Sequence, residues 1–109
     1  MSTAATLRQI ALAQPDAEEV ETWGHPTFRV GGHIFVGLDE VAGTSNLNAT
    51  LDTQAALVGE HPDVFSVAPR VGKSGWVTVV LAEVRTDTLR ELVADAYRLT
   101  AHRPGNSSG

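Results

Sequence analysis

At 109 residues the chain has the length of one domain, and 42% hydrophobic against 19% charged residues marks it as a globular sequence rather than a disordered one. It contains no cysteine, which excludes disulfides, thiolate catalysis, iron–sulfur clusters and cysteine-ligated zinc. The net charge of −5, from 13 acidic and 8 basic residues, argues against a strong general affinity for polyanions.

The first expected element is a helix over residues 3–13. Thr3 can cap it, because a side-chain oxygen satisfies a free N–H of the first turn. Leu7, Ile10 and Ala11 follow helical spacing, and Pro15 cannot continue the hydrogen-bond ladder. Residues 16–20 read as a further short turn. A hairpin follows, in which Thr27, Phe28, Arg29 and Val30 alternate polar with apolar. Gly31-Gly32 supplies the positive φ angles of a tight turn, and residues 33–38 return. A third strand is expected at 45–50, then a second helix capped by Asp52 or Thr53 and ending near Glu60, before His61-Pro62. Residues 64–68 read as a fourth strand. Residues 76–81, β-branched and aromatic, form the strongest and central one, beyond a loop holding Pro69, Gly72 and Gly75. The last helix spans 87–100, with Leu89, Leu92, Val93, Ala96 and Tyr97 on one face. Its start fits a capping box at Thr88–Glu91, with Thr86-Asp87 as the alternative. The order is α-βββ-α-ββ-α: an α+β fold with an antiparallel sheet of about five strands and helices on one face. Residues 1–102 make a single domain, and 103–109, with nothing apolar to bury, make a flexible C-terminal tail.

No apolar run reaches the length of a signal-peptide core or a membrane helix, so the expected compartment is the cytoplasm and no membrane partner is expected. The expected state is a monomer or a weak dimer. Charge is uneven: residues 1–60 hold eight acids against Arg8 and Arg29, while residues 61–109 hold five acids against six bases. Any polyanion contact therefore falls mainly to the second half, with Arg70 and Lys73 on the loop before the last strand as first candidates, followed by Arg90 and Arg98 on the last helix and, from the first half, Arg29 on the hairpin.

No residue constellation assembles a catalytic centre. Gly72-Lys73-Ser74 imitates the end of a phosphate-binding loop, but Val67 stands where the first glycine belongs and a strand follows where a helix is required. No nucleophile-elbow or dinucleotide-binding pattern occurs. His25 and His33 could meet across the hairpin, but the third and fourth ligands zinc needs have no supporting spacing, so no metal and no cofactor are expected. Trp23 and Trp76 read as core aromatics, with a second reading in which Trp23, His25 and Trp76 border a groove for a planar ligand.

The segment Glu19-Val20-Glu21-Thr22-Trp23-Gly24-His25-Pro26-Thr27-Phe28-Arg29-Val30-Gly31-Gly32 resembles the signature of the MmcQ/YjbR-like family: an acidic stretch, an aromatic, Gly-x-Pro-x-Phe and a glycine hairpin. The resemblance continues through His61-Pro62, Gly75-Trp76 and the helix holding Ala96-Tyr97. It implies a compact α+β domain similar to frataxin-type and double-wing folds, a family often described as DNA-binding, and no agreed catalytic set. Many members carry a Lys-x-His-Trp-like run before the late strand, where this chain has Lys73-Ser74-Gly75-Trp76, and lysine in the early hairpin, where His33 follows Gly32. Both departures remove positive or titratable groups. The reading that results is a non-enzymatic binding module. Its partner is weakly bound DNA by family resemblance, or a protein or small ligand in the groove around Trp23 and Trp76.

Overall fold

The computed structural model describes residues 2–101; the tail expected at 103–109 lies outside them. Helix α1 (Ala4–Leu12) is capped by Thr3, whose side chain accepts a 3.1 Å hydrogen bond from the Thr6 N–H. Strands β1 (Glu18–Thr22), β2 (His25–Val30), β3 (His33–Asp39) and β4 (Thr44–Leu47) follow, then helix α2 (Leu51–Glu60), β5 (Phe65–Val67), a 3-10 turn at Gly72–Ser74, β6 (Val77–Val80) and helix α3 (Thr86–Ala101). The sheet order is β1-β2-β3-β4-β6-β5, and every neighbouring pair is antiparallel.

The sheet has one strand more than expected. The segment read as a turn at 16–20 leads into β1, which pairs with β2 along its whole length. Its sequence Glu-Glu-Val-Glu-Thr has no buried residue, so it carries no alternation to read. Instead its charges guard a sheet edge against pairing with another chain. The expected central strand, β6, is the fifth of six; the middle of the sheet is β3 and β4. Helix α2 is capped by Thr50 rather than by Asp52 or Thr53. Helix α3 begins at Thr86, the alternative start, and not at the Thr88 capping box.

Helices α1 and α3 cover one face of the sheet. Leu7, Ile10 and Ala11 of α1 and Leu89, Val93 and Ala96 of α3 pack on Phe28, Phe35, Val36, Leu38, Leu47, Val77 and Val79, all buried. The continuous face expected on α3 is centred slightly differently. Leu89, Val93, Ala96 and Thr100 are buried, whereas Leu92 and Tyr97 are half-buried at its margins. The Tyr97 ring meets Phe35 edge-on at 5.6 Å, and its hydroxyl donates to the Pro15 carbonyl at 2.9 Å, tying α3 to the turn after α1. The start of the chain is also fixed: the Ser2 N–H donates to the Leu81 carbonyl and its hydroxyl to that of Val84. No helix among the described residues is long and apolar enough to cross a membrane.

A bulge sets up the other face. Phe28 pairs with Val36 and Arg29 with Ile34, so Phe35 is an extra residue in β3. The extra residue lets Phe35 and Val36 both enter the core while Ile34 and Gly37, three apart, both lie on the far side beside Arg29 and Thr27. Among the described residues no helix packs on that far side.

Candidate functional site

The uncovered sheet face holds a groove of about 810 Å³. Its floor is made by Thr27, Ile34, Gly37 and Asn46 from β2, β3 and β4. Its walls are the β1–β2 turn, bearing Thr22, Trp23 and His25, and the loop before β6, bearing Arg70, Val71 and Trp76. The volume is in the range of small-molecule sites, about 300–1,000 Å³.

The wall residues are held in unusual backbone. Trp23 and Gly24, with φ of 55° and 82°, form the two-residue turn between β1 and β2. Positive φ at both positions is the type I′ hairpin turn, in which asparagine is favoured where Trp23 stands. The indole does not fold back as a core plug. It is 95% exposed, which overturns the expectation that it is a core aromatic. Arg70 has φ of 69°, and the Val71 N–H bonds back to the Pro69 carbonyl at 2.7 Å. That three-residue turn around a positive φ is the rarer, strained form. Of the three described non-glycine residues with positive φ, two line this groove.

The loop bearing Arg70 and Trp76 is anchored from below. Buried Gln54 of α2 donates through Nε2 to the carbonyls of Gly72 and Trp76, both at 2.7 Å. Gly75, at φ 107°, lies so close to the start of α2 that an added Cβ would sit 2.2 Å from the Ala49 carbonyl oxygen. Gly72-Lys73-Ser74 is thus a packed turn running into a strand, with no phosphate-loop geometry. On the floor, Gly37 has nothing to avoid: a Cβ there would meet only the Asn46 Cβ, at 4.0 Å.

The polar atoms of the groove are unevenly committed. The Thr27 hydroxyl donates to the Val20 carbonyl at 2.6 Å, and the Thr22 hydroxyl accepts from Arg29 Nη2 at 2.9 Å. Asn46 Oδ1 accepts from the Thr78 hydroxyl at 2.6 Å. The Asn46 amide N–H groups, the Trp76 indole N–H, the His25 imidazole and the Arg70 guanidinium have no partner among the described residues. Arg29 has its Nε buried without a hydrogen bond. No carboxylate lines the groove.

The structure therefore brings Trp23, His25, Trp76 and Arg70 to one groove, with the Arg29 guanidinium against its Thr22 wall. It places the remaining expected residues elsewhere. Arg90 and Arg98 lie on exposed positions of α3, in the layer on the opposite face, and Arg98 pairs with Asp95. Lys73 is exposed on the 3-10 turn and does not line the groove. The five cations expected at a nucleic-acid interface thus form no single surface. His25 pairs with Thr22 at one end of β2 and His33 with Val30 at the other, so they stand about 17 Å apart at ~3.4 Å per residue and do not meet across the hairpin. Arg8, on α1, is committed to Glu19 of β1 and Glu40 after β3: Glu19, accepting a 3.0 Å hydrogen bond, and then Glu40 hold its pKa above the usual arginine value.

Sequence reasoning missed the floor. Asn46 and Ile34 gave no signal, and Thr22 none beyond its place in the acidic stretch. Gly37 did offer one, as a glycine in the interior of a strand, which marks either a bulge or a close approach by something else. A second cavity of about 500 Å³ lies between α3 and the start of α2, with Leu47, Val77, Leu92 and Leu99 as apolar walls and the paired Asp95 and Arg98 among its lining residues.

Comparison with known proteins places this architecture. The YjbR family model matches residues 12–99, and the chain belongs to the YjbR family. Among solved structures it is similar to the crystal structure of Deinococcus radiodurans protein DR2400, described by its DUF419 domain. The TM-score is 0.86 at 23% identity, over 94% of this chain and 81% of that one. That likeness establishes a shared fold. No curated protein matches the chain.

Proposed function

We propose that this YjbR-family chain is a non-enzymatic binding module whose ligand lies in the groove on the open sheet face, with a flat ring system against Trp23 and Trp76. The observation that carries this reading is the placement of Trp23, a fully presented indole on left-handed backbone, beside the same groove as Trp76. An indole in water at a turn position that favours asparagine has no stabilising role in the fold, whereas stacking on a planar partner recovers its apolar surface, about 1–3 kcal/mol per ring in nucleobase complexes. The bare floor at Gly37 supports the same reading, since no packing within the chain requires a glycine there. The ionisable groups lining the groove are His25 and Arg70, with no carboxylate to orient or activate the histidine, which favours binding over general acid–base chemistry.

The test is a titration with flat aromatic compounds, neutral and charged, followed by tryptophan fluorescence and backbone amide shifts. Shifts should gather at residues 22–27, 34–37, 46 and 70–76, and Trp23→Asn should weaken binding about ten-fold or more, the equivalent of one stacked ring. Shifts confined to the helix layer, or no saturable response, would overturn the reading.

A further inference from the structure

We infer that the ligand of this groove is an aromatic anion: a ring held on the indoles, with a carboxylate or phosphate held by Arg70. The inference rests on the proposed use of the groove and adds the charge and polarity of what fills it. Three observations point the same way. First, the groove has no acidic lining residue in a chain where acids outnumber bases 13 to 8. Second, among the described residues four arginines and lysines stand outside ion pairs, namely Arg29, Arg70, Lys73 and Arg90; of these Arg70 lines the groove and Arg29 hydrogen-bonds to its Thr22 wall from behind the lining. Third, the uncommitted polar atoms are mostly donors. The Thr22 and Thr27 hydroxyls already serve the sheet, the Gly37 carbonyl accepts from Ser45, and Asn46 Oδ1 accepts from Thr78. What remains free among the lining side chains is the Asn46 amide N–H pair, the Trp76 indole N–H, the Arg70 guanidinium and the His25 imidazole, which offers one N–H donor and, when neutral, one acceptor nitrogen. A donor-rich, acceptor-poor wall with an unpaired guanidinium matches a ligand rich in acceptors, and arginine binds planar or tetrahedral oxyanions bidentately.

The geometry also favours a small molecule over a polymer. A nucleic-acid strand needs cations repeated along a track. Here Arg90 and Arg98 are on the far layer, Lys73 lies outside the groove, and the acidic β1 edge adjoins it.

The experiment compares matched pairs that differ only in the anionic group: 2-naphthoate against 2-naphthylmethanol, and AMP against adenosine, each titrated into the intact chain. Arg70→Gly is the informative variant, because glycine accepts positive φ, so loss of the cation is not confounded by loss of the fold. Lys73→Ala is the control for a nearby cation outside the groove. The acid of at least one pair should bind about ten-fold or more tightly than its neutral partner, as a charge-assisted hydrogen-bond pair provides. Arg70→Gly should erase that preference while Lys73→Ala keeps it, and whichever pair responds assigns carboxylate or phosphate. Equal binding of acid and neutral partner in both pairs would overturn the anion while leaving the groove as a ring site. A preference that survives in Arg70→Gly would also overturn it. No binding by any of the four would overturn the groove reading together with this one.

Discussion

Trp23 and Arg70 hold a backbone region that costs an ordinary side chain about 1–2 kcal/mol relative to glycine. Each can therefore be replaced in a way that separates stability from binding. Trp23→Asn puts the favoured residue into the type I′ turn while removing the indole. The melting temperature should rise, by an amount equivalent to about 0.5–1 kcal/mol, as thermal denaturation followed by circular dichroism would show. A fall would mean that the indole makes stabilising contacts that its 95% exposure denies. The sequence pattern supplied neither the β1–β2 turn nor the direction of Trp23 at its tip. Periodicity assigns faces only within a helix or a strand, and a residue at a hairpin tip belongs to neither face.

At the level of elements, the legible parts of the chain were those that bury one face against the core. The β2–β3 hairpin and α3 could be read because apolar residues recur at spacings of two and of three to four. Strand β1 and the groove floor could not be read: β1 buries nothing, and the floor depends on the Phe35 bulge, which appears only when partner strands are aligned. The same logic ranks substitutions on α3. Leu89 is completely buried, and Leu89→Ala should cost about 2–5 kcal/mol in urea denaturation. Leu92, half-buried beside the second cavity, should cost less than about 2 kcal/mol, because part of its surface already meets solvent. Equal losses would show that α3 sits differently on the sheet. The 68–76 segment reverses the usual expectation for a surface loop. Gly75→Ala combines left-handed φ with a Cβ driven into the Ala49 carbonyl, and should destabilise by more than about 2 kcal/mol in the same assay. A loop tolerant of that change could not hold Arg70 and Trp76 in place.

Across the whole molecule the two faces of the sheet are used differently. One is sealed by α1 and α3, whose apolar stripes account for the core. The other stays bare, floored by Gly37 and Asn46 and walled by two segments. The cations are divided between these layers in a chain of net charge −5, and that division governs duplex DNA binding. Affinity for duplex DNA grows with the number of phosphates neutralised at once, and loss of each contact flattens the salt dependence by about one unit. Arg29 and Arg70 on one layer and Arg90 and Arg98 on the other cannot engage one backbone together, and Arg98 is already paired with Asp95. A random duplex should therefore bind no more tightly than about 10⁻⁴ M at physiological salt, the weak end of non-specific association. Fluorescence anisotropy at several salt concentrations measures this directly. Submicromolar affinity with a steep salt slope that falls in an Arg70→Ala, Lys73→Ala double variant would show instead that the loop before β6 acts as a DNA-contacting wing, and would give these two cations the phosphate-binding role that the uneven charge of the chain suggests.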